Sequence, residues 1–271
     1  MAPNNSEAKD GQMNAATTRG IPQLKNIEQV SEGWINKYIL TYELPDGTDY
    51  VYESTSRKKL EAYRTGLLAN ARGEAPRVDA VCIVGETREG TLLMIREFRY
   101  PLNSWCIAFP AGLKEPNESI RECVDRELRE ETGYRLRTDV DESVRLLPQA
   151  GFSSTGLTDE AIQIVFAQVE KAGDAQPEES ELIRPFQLPL GDVRRFLDEN
   201  TTLIGTRAQL ILEIFAARAE RKGAYGLFFL IAERLERGGV TARPVGEALR
   251  HAGDGRRRGA RSLFDRRIGL A

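Results

Sequence analysis

An α+β fold with a mixed sheet flanked by helices is what this sequence predicts, and three observations predict it. Short runs of alternating or continuous apolar residues, the pattern of strands, come first along the chain, recur after residue 143, and give way to amphipathic helices near residue 191. A single strongly signalled helix, opening near Ser119, interrupts the strands. The order strands, helix, strands, helices suits a sheet covered by helices. The composition, 41% hydrophobic and 29% charged over 271 residues, supplies a core of ordinary size.

The elements follow in order. Residues 1–22 are small and polar without period and are expected to be a disordered leader. Trp34–Thr55 alternates and carries Pro45-Asp46-Gly47 at its middle, so it predicts two strands and a turn. Lys58–Ala71 reads as helical or irregular. Arg77–Val84 and Thr91–Phe98 form a second strand pair about a turn at Arg88-Glu89-Gly90, and Trp105–Phe109 is a further short strand. Ser119 with Glu122 is a capping-box pair, and Gly133 is a natural helix stop, so the helix is expected between them. Ser143–Pro148, Glu160–Val169 and Leu182–Leu188 are read as strands. Gly191–Glu199 and Ala208–Arg221 are read as amphipathic helices, the second with an apolar stripe of Leu210, Ile211, Ile214 and Phe215. Tyr225–Leu235 is apolar enough for a packed helix, and the arginine-rich end from Gly253 reads as a basic tail. The boundaries expected are 1–22 leader, 23–76 N-terminal β region, 77–217 main domain and 218–271 C-terminal helical extension.

The charge pattern narrows the function. A net charge of -3 and no interleaved aromatic platform argue against a nucleic-acid partner. No run reaches the roughly 18 apolar residues of a membrane span. The cysteines Cys82, Cys106 and Cys123 lie in apolar runs and are expected to be buried free thiols, as suits a reducing cytoplasm. The lone histidine, His251, sits in the basic tail, which excludes a histidine triad or a histidine zinc cluster.

On a helical wheel Ile120, Cys123 and Val124 share a stripe that Glu127, Glu130 and Glu131 continue. Two readings compete. The carboxylates form a solvated charged face, or they point at the core and a hard divalent cation offsets their mutual repulsion. Arg129 lies on the other side, and Arg126 at the stripe's edge cannot alone balance three carboxylates.

These residues resemble the Nudix box, G-x5-E-x7-R-E-U-x-E-E-x-G-U with U a bulky apolar residue. Here it reads Gly112, Glu118, Arg126, Glu127, Leu128, Glu130, Glu131, Gly133 and Tyr134, the last a tyrosine where an aliphatic residue is usual. The resemblance covers residues from about 23 to 217 and implies a Nudix-type α/β/α sandwich with the box helix against the sheet. The flanks resemble the ADP-ribose/ADP-sugar pyrophosphatase group. Arg96-Glu97-Phe98-Arg99 stands near that group's glutamine-tyrosine-arginine element, with Glu97 and Phe98 as departures. Phe109-Pro110-Ala111-Gly112 matches its entry to the box, and Ser154-Thr155-Gly156-Leu157-Thr158-Asp159-Glu160 its substrate loop, with Thr155 in place of proline.

The resemblance implies a hydrolase that cleaves the diphosphate of ADP-ribose or a related nucleoside diphosphate sugar into AMP and a sugar phosphate. It implies Mg²⁺, with Mn²⁺ as the alternative ion, on Glu127, Glu130, Glu131 and the carbonyl of Ala111. A general base is expected from the acidic loop at Glu178, Glu179 and Glu181; Glu179 is preferred, Glu181 is retained, and Glu179 is also a candidate metal ligand. Glu130 is a catalytic candidate. Arg99, Gly112 and Gly156 are substrate-binding candidates, Arg99 also being readable as an edge-strand cation. Arg126 is expected to orient Glu130 or Glu118, and Glu118 to tie the box loop to the helix. A homodimer exchanging its N-terminal strands is implied. Other expectations stay open: a hydrolase of GDP-mannose, dinucleoside polyphosphates or a nucleoside triphosphate, or a non-catalytic nucleotide sensor.

Overall fold

The structure, a computed structural model, describes residues 20–140 and 142–219. The expected leader lies almost wholly outside the described residues, as do the Tyr225–Leu235 helix, His251 and the basic tail.

Two sheets organise the described chain. The first is a three-stranded antiparallel sheet of β1 (Gln23–Gln29), β2 (Asn36–Glu43) and β3 (Asp49–Ser56), in that spatial order. The expected hairpin is β2–β3. Strand β1 escapes sequence reading because QLKNIEQ is polar on both faces, with only Ile27 buried. Helix α1 (Leu60–Ala71) follows, and its Tyr63 stacks on Tyr38 of β2 with ring centroids 4.4 Å apart.

The second sheet is mixed. Its main path runs β10 (Gly151–Phe152), β11 (Ala161–Lys171), β4 (Ala80–Glu86), β5 (Thr91–Arg99), β6 (Ser104–Ala108), β13 (Leu203–Ile204). Strand β12 (Ile183–Pro189) pairs with β5, β7 (Ala111–Leu113) with β4, and β8 (Tyr134–Leu136) and β9 (Val144–Leu146) with β11. Strands β11 and β4 are parallel. Helix α3 (Val193–Glu199) follows β12, and residues 206–219 are helical. In that last helix the buried residues are Ala208, Ile211, Leu212 and Ala216, whereas Leu210 and Ile214 are exposed. The expected stripe is therefore corrected by about one helical position; two adjacent apolar stripes compete in that sequence, and the wheel cannot choose between them.

The placement of β7 matters most. Strands β4 and β5 pair only at Gly85–Leu93 and Glu86–Leu92. Below that point they diverge, and β7 pairs with β4 instead, Cys82 opposite Ala111 and Val81 opposite Gly112. Helix α2 (Ile120–Thr132) packs over this face. Its Cys123, Val124 and Leu128 are fully buried against Val81, Ile83, Leu93, Val165 and Val169. Each such side chain contributes about 1.5–3 kcal/mol.

Candidate active site

Local signals fix both ends of α2. The Ser119 side chain accepts from the Glu122 N–H, and the Glu122 carboxylate accepts from the Ser119 N–H, so the predicted capping box is complete. At the other end Gly133 adopts φ 69°, and a side chain there would collide with the backbone of Gly173 to Ala175. The last carbonyls are satisfied from outside the helix, Glu130 by the Gln176 N–H at 2.9 Å and Thr132 by Lys171 Nζ at 3.0 Å.

The helix presents its acidic residues unequally. Glu127 and Glu131 are buried, 7% and 3% exposed. The Glu130 side chain is 44% exposed and stands at the rim, which corrects the expectation that all three point inward. Glu131 accepts the Ala111 N–H at 3.1 Å. In the β4–β7 ladder Pro110 O accepts from Ile83 and Asp79 O accepts from Lys114. Those bonds alternate along an antiparallel pair, so Ala111 falls at a position whose N–H and C=O both turn away from β4, towards Glu131. Gly112 is glycine for a related reason: a methyl group there would overlap the Glu127 carboxylate.

Arg126 is the hub. It grips Glu118 through Nε at 2.8 Å and Nη2 at 3.1 Å, and Nη2 also donates to Leu113 O at 3.0 Å. Its Nη1 reaches Glu127 at 2.7 Å and Glu130 at 3.0 Å. Glu118 in turn accepts the Glu115 N–H at 2.9 Å, which ties the loop before the helix to the helix itself. The Arg126 guanidinium holds the Glu118 carboxyl down at about 2. By contrast, burial and the neighbouring charge of Glu127 raise Glu131 well above the usual carboxylate range, and burial raises Glu127. Cys123 and Cys82, expected to be inert core thiols, are buried and unpaired and are pushed up to about 12 and about 11 by burial.

Two further carboxylates converge here. Glu97, at the end of β5, is raised by burial; its Oε2 is buried, forms an ion pair with Arg99 Nη2 at 2.6 Å, and has no well-aligned hydrogen bond among the described residues. Glu181 adds a charge that raises Glu97, Glu127 and Glu131 together. Its loop is pinned to β5: Phe98 N–H donates to Leu182 O at 3.0 Å and Tyr100 Oη to Ser180 O at 3.1 Å. Of the three glutamates expected from that loop, Glu181 contributes a charge that acts on the helix carboxylates. The preference for Glu179 rested on sequence distance, which says nothing of where a pinned turn aims its side chains.

Beside these carboxylates lies a pocket of about 230 Å³ lined by Cys82, Arg99, Ala111, Ser153 and Arg207. Arg207 and Ser153 were missed in sequence, where neither stands in a motif. A larger pocket of about 490 Å³ lies between the first sheet, α1 and the substrate loop, with Tyr42, Tyr52 and Phe152 in its wall. Gly156 does not line the smaller pocket; its carbonyl accepts from Tyr52 Oη at 2.8 Å.

The donor set suits a hard divalent cation. Glu97, Glu127, Glu130, Glu131 and Glu181 lie close enough for their charges to act on one another, against two cations, Arg99 and Arg126, and among the described residues the hydrogen bond to the Glu131 carboxylate comes from the Ala111 N–H. Among the described residues no three acidic, Cys or His side chains are already drawn to ligand spacing. Arg126 sits between Glu127 and Glu130 instead.

Comparison with known proteins bears on the family and the fold. Residues 75–204 match the NUDIX domain family. An ADP-sugar pyrophosphatase of Mus musculus is 28% identical over 182 residues, 63% of this chain and 75% of that protein. An ADP-ribose pyrophosphatase of Saccharomyces cerevisiae is 26% identical over 199 residues, 69% of this chain and 80% of that protein. A crystal structure of an ADP compounds hydrolase superposes with a TM-score of 0.56 at 22% identity, covering 74% of this chain and 96% of the other, a likeness of fold. With the box intact at every charged position and its helix seated on the sheet, residues 75–204 are a domain of the kind that defines the Nudix hydrolases. Within them the chain is related to the ADP-ribose and ADP-sugar pyrophosphatases.

Proposed function

We propose that this hydrolase cleaves the diphosphate linkage of ADP-ribose or a closely related nucleoside diphosphate sugar. Water adds to one phosphorus and the bridging P–O bond breaks, releasing AMP and a sugar phosphate. The observation that carries this reading is the pair of buried carboxylates, Glu127 and Glu131, beside the turned-out backbone of Ala111 and a pocket walled by two arginines.

Glu127, Glu131, the Ala111 carbonyl and, from the rim, Glu130 would hold Mg²⁺, or Mn²⁺ in its place. When bound, the ion neutralises the diphosphate and lowers the pKa of a water. The remaining roles belong to side chains of the chain itself. Arg126 keeps Glu127 and Glu130 aimed by gripping both through one nitrogen. Glu181 takes the proton of the attacking water, a role supported by its charge acting on the helix carboxylates and by the pinning of its loop; Glu179 is the alternative base and ligand. Arg99 and Arg207 grip phosphate oxygens through planar forks that match them. Tyr52 and Phe152, in the wall of the larger pocket beside the same loop, offer ring faces for a base. Exposed Trp34, Ile35, Tyr50 and Val51 on and beside the first sheet support association of two copies there, which the mass in solution tests.

A panel of ADP-ribose, ADP-glucose, GDP-mannose, a diadenosine polyphosphate and a nucleoside triphosphate, scored by kcat/KM with Mg²⁺, tests the substrate. ADP-ribose or ADP-glucose is expected to lead. A higher value for GDP-mannose or the triphosphate, or no turnover of any, refutes the assignment.

A further inference from the structure

The loop that walls the pocket is held from outside, residue by residue, by the N-terminal sheet. Ser153 lines the pocket, and its N–H donates to Glu160 O at 2.9 Å, closing the loop 153–160 upon itself. Inside the loop the Ser154 carbonyl braces the turn, accepting from Leu157 and Thr158 at 3.0 Å, and Thr158 Oγ1 accepts from the Glu160 N–H at 3.3 Å. Thr155 lacks the fixed φ that proline gives such a turn.

The outer braces come in register. Gly156 O accepts from Tyr52 Oη at 2.8 Å. Leu157 O accepts from the Thr55 N–H at 2.8 Å and lies 3.3 Å from Ser54 Oγ. Thr158 bridges to Thr55 in parallel, and Glu160 pairs with Arg57. The remaining position, Asp159, is 9% exposed and meets Lys58 Nζ at 2.8 Å. The same ammonium reaches Asp79 at 3.0 Å, just before β4.

Lys58 is itself anchored. Its carbonyl accepts from Tyr38 Oη at 2.7 Å and from Asn36 Nδ2 at 3.1 Å. Asp79 is doubly bonded to Ala161, its side chain accepting from the Ala161 N–H and its own N–H donating to the Ala161 carbonyl, each at 2.9 Å. One residue therefore joins three pieces: through its carbonyl the core tyrosine of the N-terminal sheet, and through its ammonium the start of the strand that carries β7 and the substrate loop.

We infer that Lys58 is a positioning residue for the substrate. By holding Asp159 it fixes the 153–160 loop as a wall of the pocket, so the N-terminal sheet of the same chain sets substrate affinity. This rests on the nucleoside diphosphate sugar reading above. A loop released from Lys58 spends only part of its time in the binding conformation, and apparent affinity falls by that fraction.

The test compares the full chain with K58M and K58R, in steady-state kinetics on ADP-ribose at saturating Mg²⁺ and in amide hydrogen exchange. K58M is expected to raise KM about tenfold with kcat within about twofold, the signature of lost binding rather than lost chemistry. K58R, which keeps the charge, restores KM to within about threefold of the parent. Exchange at residues 156–160 accelerates in K58M while α2 is unchanged. If K58M fails to fold, Y52F, which removes only the hydroxyl on Gly156, should raise KM in the same direction by less. An unchanged KM in K58M, or unchanged exchange at 156–160, overturns the inference. A wild-type chain that turns over no nucleoside diphosphate sugar sinks the functional reading instead, and loop exchange in K58M still decides whether Lys58 holds the loop.

Discussion

Gly112→Ala is the sharpest probe of the site, because the structure says what the methyl group meets. All three nearest atoms belong to the Glu127 carboxyl group. The backbone of β7 has room; the side chain of Glu127 must leave. Overpacking of this kind costs about 1–3 kcal/mol. The displaced carboxylate also loses its Arg126 contact, while Arg126 keeps both bonds to Glu118. A domain stable by about 5–15 kcal/mol stays folded under that load. Its melting temperature should fall by about 2–12 °C, at the roughly 2–4 °C per kcal/mol of a chain this size. Metal affinity should fall at least as much as when a residue supporting a ligand is lost, about 10–100-fold. Thermal melts followed by circular dichroism give the first number, and calorimetric titration with Mn²⁺ gives the second. A lower melting temperature with unchanged Mn²⁺ affinity would show that Glu127 is no ligand. Unchanged melting would show that the carboxylate does not rest on Gly112 at all.

Two other outcomes follow from the same geometry. Glu131 and Glu127 have folded pKa values above those of the unfolded chain, so the native state holds their protons more tightly. Metal-free stability should therefore fall as pH rises through and above the usual carboxylate range; a divalent ion reverses this only where the carboxylates are ionised, so the gain in melting temperature on adding Mg²⁺ should be larger at about pH 8 than at about pH 5.5, and an equal gain at both contradicts it. The buried thiols of Cys82 and Cys123, raised to about 11 and about 12, should resist a thiol reagent at neutral pH until the protein unfolds, and rapid labelling of either in the native state would be inconsistent with their burial.

How much of this was legible in the sequence depends on how local each signal is. Helix α2 was found nearly to the residue, since Ser119, Glu122 and Gly133 mark its ends by short-range chemistry. Strands β4, β5 and β11 were found because their apolar runs are long. Strands β7, β8, β10 and β13 are two or three residues long and exist only because a partner strand lies beside them. The spacing placed Glu127, Glu130 and Glu131 on the apolar stripe, and of these Glu127 and Glu131 are buried. The exposure of Glu130 and the full set of six Arg126 bonds did not follow from spacing, because both depend on how the loop before the helix folds back through Glu118. Glu97 and Arg207 reach the site from distant strands and loops, and sequence proximity carries no trace of that; Glu181 was named only through the family resemblance. The clamp of Lys58 on Asp159, between residues 101 apart, is of the same kind.

The most direct test is the initial rate of AMP release from ADP-ribose as Mg²⁺ is raised, in the parent chain and in Glu131→Gln. Glutamine keeps the size and the Ala111 hydrogen bond but removes the charge that a cation needs. The parent rate should climb from background and saturate with Mg²⁺; the variant should fold as well and stay near background throughout. A variant that turns over as fast as the parent, with the same Mg²⁺ dependence, contradicts the assignment of the buried helix carboxylates to the hydrolytic centre.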